Sequence, residues 1–204
     1  MQPNSGKGQP LIQQRAPAAP RTDALAAVRR LSFAAIDATE VDAIHRALAR
    51  ELFAVFGVDQ VHLTRVDPAG RRARSAAYYP AAEGEPVLGA AYGHDFQDRS
   101  AVGRVVATGR PLHEPDARRS PIMSQSLVER FGAASGLFLP LAFGGEVVAV
   151  AALVTEHGRT FDEDEIQLAY TLANQASAAL AALELRSRLA GAAPAAPVGT
   201  RRRG

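Results

Sequence analysis

Apolar residues recur at helical spacing along residues 23–36, and again through Val41, Ile44, Leu48, Leu52 and Val55 on a single face. Two helices are expected there. Asp37 with Glu40 three residues later has the form of a capping box, Ile36 and Val41 are spaced to staple the turn, and Thr39 is a competing cap. Gly57 suits the left-handed position that ends a helix. From Val58 the period changes to two, so Val61, Leu63 and Val66 read as a strand, with residues 72–79 returning beside it after the turn at 67–70. A weaker extended segment at 87–92 is a candidate third strand. Ser100 can cap a short helix carrying Val102, Val105 and Val106 and ended by Gly109, after which Arg110 and Pro111 lead into a brief extended piece. Residues 124–131 form another short helix, with Leu127, Val128 and Phe131 on one side.

Residues 136–143 and 146–155 are nearly continuous apolar runs joined by Gly144 and Gly145, a pair suited to the positive φ of a two-residue hairpin. Strands covered on both faces have this pattern, so the two are expected centrally, with helices on one side and loops or a ligand on the other. The last helix opens with Asp162 as cap and Glu165 at its third position, with Phe161 set to staple against Ile166; Arg186 and Arg188 close it, as the helix dipole favours. Two apolar seams run along it. One passes through Ile166, Ala169, Ala173, Ala176, Leu180 and Leu183, the other through Leu168, Leu172, Ala179 and Ala182. One sheet cannot cover both seams, so the second is assigned to the sheet and the first to a partner helix in a parallel homodimer.

Composition narrows the chemistry. The 204 residues, 47% hydrophobic and 22% charged, suffice for one domain with a sizeable core. Residues 1–22 are proline-rich and aperiodic and residues 190–204 end in Arg201, Arg202 and Arg203, so both are expected to be disordered tails around a domain at 23–189. The tails hold six of the 23 basic residues and none of the 21 acidic ones, leaving 17 against 21, a net −4 for the folded part. Nucleic-acid binding, which needs a basic face, is therefore not expected despite a pI near 9.4. No cysteine is present, which excludes disulfides, thiolate nucleophiles and cysteine-based metal sites. No signal-peptide core or membrane-spanning run is evident, so a cytoplasmic location is expected.

Several segments together resemble the GAF domain family: residues 103–111, with Gly103, Gly109 and Pro111 in place, then Asp116, Leu139-Pro140-Leu141, the acidic cap at 161–165, and the run 172–176. The resemblance spans about residues 23–189. It implies an α/β (α+β) fold with a GAF/PAS-like central antiparallel six-stranded sheet, helices on one face and a ligand pocket on the other. It also implies a signal-transduction sensor that binds a small molecule and reports through its terminal helix to a separate effector protein. A ligand-free dimerisation or interaction module is the alternative. The cysteine-linked bilin and cysteine-dependent reductase activities of the family do not fit this chain. Its cyclic-nucleotide signature is also missing, since Thr155 and Glu156 stand where Asn-Lys is usual.

For the ligand site, Tyr78, Tyr79, Tyr92 and Phe138 are candidate lining residues, with Arg99, Arg118 and Arg119 at the rim to pair with an anion. His94 lies in the segment that the family places at the pocket mouth. It is either a loop histidine bonded to Asp95 or, less simply, a haem ligand. The five histidines, His45, His62, His94, His113 and His157, have no metal-ligand spacing, so no metal is assigned and the cofactor stays unknown. His94, Asp98 and Ser100 superficially suggest a triad, but capping and loop polarity explain them and no G-x-S-x-G elbow exists. No catalytic residue is assigned, and turnover is not expected.

Overall fold

The structure, a computed structural model, describes residues 21–67, 69, 71–80, 93–96 and 99–192. The expected tails, the third-strand segment at 87–92 and Tyr92 lie outside the described residues. Among the described residues, regular structure runs from Arg21 to Ala192. The elements are α1 (Arg21–Asp37), α2 (Val41–Phe56), β1 (Gln60–Asp67), β2 (Arg72–Tyr79), β3 (Gly93–Asp95), α3 (Ala101–Thr108), β4 (Leu112–Glu114), α4 (Gln125–Phe131), β5 (Ser135–Phe143), β6 (Glu146–Thr155) and α5 (Glu163–Ala192). The strands form one six-stranded antiparallel sheet in the order β3-β2-β1-β6-β5-β4.

Local chemistry explains most boundaries. Gly57 and Gly109 end α2 and α3 in left-handed conformations, at φ 55° and 62°. The Ser100 hydroxyl accepts from the Gly103 amide at 3.0 Å, capping α3. At α5 the capping box closes reciprocally: the Glu165 amide donates to Asp162 at 2.9 Å and the Asp162 amide to Glu165 at 3.0 Å. Gly144 and Gly145, at φ 62° and 88°, turn β5 into β6. The expected capping box at Asp37 does not form. Asp37 closes α1, and Glu40 occupies the N-cap of α2 without a side-chain cap bond, pairing with Arg46 at 2.9 Å instead.

Helices α1, α2 and α5 cover one face of the sheet. Leu63, Leu137, Leu139, Leu141 and Leu153 point into this layer with Leu31, Ile44, Leu48, Leu52 and Leu172, all fully buried in one cluster. An ion pair ties α1 to α2: Arg30 Nη2 lies 2.7 Å from the buried carboxylate of Glu51. The helix layer corrects the dimer assignment. Ala169, Ala173 and Ala176 are fully enclosed, Leu180 and Leu183 are 7% and 8% exposed, and Ile166 packs against the same cluster. This seam belongs to the chain's own core. Ser177, one turn from Ala173 and Leu180, accepts from the Ala142 amide of β5 at 3.1 Å, while Gln175 on another side donates to Ser32 of α1 at 3.0 Å. The sheet takes one side of α5 and α1 another. Helices α1 and α2 supply the further surface against which α5 buries its apolar residues.

Candidate functional site

Side chains alternate across a strand, so each residue that anchors the helix layer has neighbours facing the other way. In β1, Val61 and Leu63 enter the helix core while His62 and Thr64 face oppositely. In β5 and β6, Phe138, Val150, Ala152 and Val154 share that second face. There α3 contributes Val102, the segment before α4 Met123, and α4 itself Leu127, Val128 and Phe131. Together with Ser75 of β2 and Ala133, these residues line a half-open cavity of about 120 Å³. Val102 of the apolar α3 seam and the whole apolar seam of α4 form its outer wall.

The polar groups gather at one side. Thr64 and Ser75 are cross-strand partners, and His62 is two residues from Thr64 on the same face. The Gln60 amide nitrogen donates to the Phe131 carbonyl at 3.0 Å and to Glu156 at 3.1 Å, so its oxygen, 3.0 Å from His62 Nε2, accepts from that ring nitrogen. Nδ1 is then the ring's acceptor. The ring is clamped between Tyr78, at a centroid distance of 4.8 Å, and Phe131, at 4.4 Å. Burial lowers its pKa to about 4, so His62 is neutral at physiological pH. No charged side chain lines the cavity among the described residues.

The sequence-selected residues separate on this map. Phe138 lines the cavity and Tyr78 packs on His62 behind it. Tyr79 turns to the helix side and meets Phe53 of α2 at 4.8 Å. Arg118 and Arg119 sit exposed in the loop after β4, with Arg119 Nε 3.8 Å from Asp116; neither lines the cavity, and Arg99 is exposed as well. His94 pairs by its backbone with Ala73, placing it in an edge strand. Its side chain is outside the description, as is Tyr92. Sequence reasoning missed His62, Thr64 and Ser75. The signal was present in β1, where polar residues occupy the positions alternate to Val61 and Leu63 in a strand covered on both faces. Among the described residues no group of histidines and carboxylates is placed to hold a metal. No helix among them is long and apolar enough to cross a membrane.

The model of the GAF domain matches residues 40–180, and the chain belongs to the GAF domain family. Solved structures with the same fold include the GAF domain of a phosphoenolpyruvate-protein phosphotransferase from Coxiella burnetii, at 16% identity and TM-score 0.68, covering 82% of this chain and 98% of that one. The free methionine-R-sulfoxide reductase of Neisseria meningitidis, solved with its substrate, matches at 17% identity and TM-score 0.67, covering 86% and 99%. A phycoerythrobilin-bound GAF domain from a cyanobacterial phytochrome matches at 17% and 0.66, covering 80% and 97%. No curated protein sequence matches the chain.

Proposed function

We propose that this GAF domain is a sensory module that takes a small molecule into the cavity beneath β1, β5 and β6 and reports occupancy through α5 to a partner protein. The observation that carries this reading is the half-open apolar cavity on the sheet face opposite the helix layer. The strands that form it also touch α5: Phe138 faces the cavity, while Leu137 and Leu139 on either side of it pack into the cluster holding Ala173, Leu180 and Leu183. A ligand that moves Phe138 therefore acts on the same strand that seats the helix. The fold neighbours with a bound bilin or substrate agree in kind with a ligand-binding role. Native mass spectrometry of the purified protein tests it, because a retained small molecule supports the reading and a clean apo mass across independent preparations counts against it.

Association with a second copy is a further part of the proposal, through a face other than the one expected from sequence. Leu185 and Leu189 are 55% and 72% exposed, and with the exposed Ala178 and Ala182 they repeat at steps of four, three and four. On α1, Phe33 and Ile36 are 62% and 66% exposed, and Arg186 of α5 donates to the Ile36 carbonyl at 3.3 Å, so the two helices present these residues near one another. Glu184 and Arg188, joined at 2.8 Å, put both charge signs beside the stripe, as a self-complementary face requires. A parallel pairing sets leucine against leucine.

A further inference from the structure

Resting on the small-molecule reading of the cavity, its lining narrows the chemistry of what enters it. The half-open volume within the described walls, about 120 Å³, is of the order of the cavity of about 150 Å³ that accepts benzene in an engineered protein, so one ring or its aliphatic equivalent occupies that part. Among the described residues the wall is apolar apart from His62, Thr64 and Ser75, and these stand together on β1 and β2. Neither the Thr64 nor the Ser75 hydroxyl makes a hydrogen bond to another described residue, and His62 Nδ1 is left as an acceptor by the bond that Gln60 makes to Nε2. The site thus offers hydroxyls that both donate and accept, plus one neutral ring acceptor. Among the described residues it offers no counter-charge, because Arg118 and Arg119 stand outside and the histidine is held neutral by burial.

We propose that the cavity selects an uncharged, single-ring or similarly compact molecule bearing one hydroxyl group, which His62, Thr64 and Ser75 orient while Phe138, Val150 and Met123 hold its apolar body. A carboxylate or phosphate of the same size would lose its hydration without gaining a cationic partner. Benzene would fit but leave the hydroxyl edge unmatched.

Phenol, benzene and benzoate are the probes, titrated into the full chain with the methyl signals of Met123, Leu127 and Val150 as reporters. Phenol is expected to shift these methyls saturably, and benzoate to bind at least about 100-fold more weakly. His62→Phe, which keeps an aromatic ring between Tyr78 and Phe131, should weaken phenol about tenfold and leave benzene unchanged or tighter. Ala152→Leu, which fills the cavity, should abolish the methyl shifts. Benzoate binding as tightly as phenol, or phenol binding unaffected by both variants, overturns the assignment. If no probe binds but the native protein retains an ionic molecule in this cavity, the ligand class is wrong while the sensory reading stands. If no probe binds and nothing is retained, both fail.

Discussion

The two faces of the sheet are built from the same strands and end in opposite conditions. On the helix side, Leu63, Leu137, Leu139 and Leu153 are fully buried against side chains from three helices. On the other side, their neighbours His62, Phe138, Val150 and Ala152 meet two short helices and line a half-open cavity. The difference lies in what covers each face. Helix α5, at 30 residues, reaches along the whole layer, whereas α3 and α4 have eight and seven residues and leave a gap between them. A filled face supplies stability; the unfilled one is free to respond to an added molecule.

Charging the filled face should produce the largest effect. Leu180→Glu with Leu183→Glu places two carboxylates in the core and should unfold the chain, seen as loss of helical circular dichroism. A folded monomer would return this seam to a partner helix and void the division between faces.

Acid provides the next test, since among the described residues His45 on one side and His62 on the other are each held neutral by burial. His45 of α2 is 1% exposed and neither ring nitrogen has a hydrogen-bond partner; Asp42 Oδ1 stands 3.8 Å from Nδ1. Burial and, second, the positive charge of Arg65 lower its pKa to about 4, the same value burial gives His62. Both folded values lie below the unfolded 6.5, so stability is full above about pH 6.5 and falls toward pH 4 as the unfolded chain takes up protons first. Each ring should contribute a slope approaching about 1.4 kcal/mol per pH unit in that window, measured as urea midpoints at pH 6 and 5. His45→Leu and His62→Phe should each remove one share of it. A slope untouched by His62→Phe would mean that the cavity side is wet.

Adjacent alanines of β6 give the sharpest contrast of smaller size. Ala151 is fully buried in the helix-side cluster, and Ala152 lines the cavity. Ala151→Leu should cost about 1–3 kcal/mol through overpacking, while Ala152→Leu should be neutral or stabilising because the space receives it. Equal costs in thermal melts would show that no usable cavity exists. The smallest effect on stability is expected at the exposed stripe, where Leu185→Glu with Leu189→Glu should change the fold by no more than about 0.5 kcal/mol yet shift sedimentation from dimer to monomer. An unchanged sedimentation coefficient removes the proposed dimer face.

Much of this division was legible in the sequence. The period-two strand at Val61 and Leu63, the glycine hairpin at 144–145, the Ser100 cap and the acidic start of α5 all follow from local chemistry, and each forms as written. What failed depended on packing between distant segments. The Asp37 box lost to one more residue of α1, and the α5 seam went to the sheet and helix layer because nothing local says that α1 and α2 return to that side. The cavity residues were overlooked for a related reason. Aromatic and arginine residues draw attention as ligand contacts, while His62, Thr64 and Ser75 become a polar cluster only when β1 and β2 are paired in register.

Whether occupancy of one face reaches the other is measured most directly by hydrogen exchange along α5. Phenol added to the wild-type chain, and Ala152→Leu without phenol, should both alter exchange at residues 173–183 as well as in β5 and β6, although no atom of α5 lines the cavity. Protection changes confined to β1, β5, β6 and α4, with α5 identical in all states, would contradict a sensor that reports through its terminal helix.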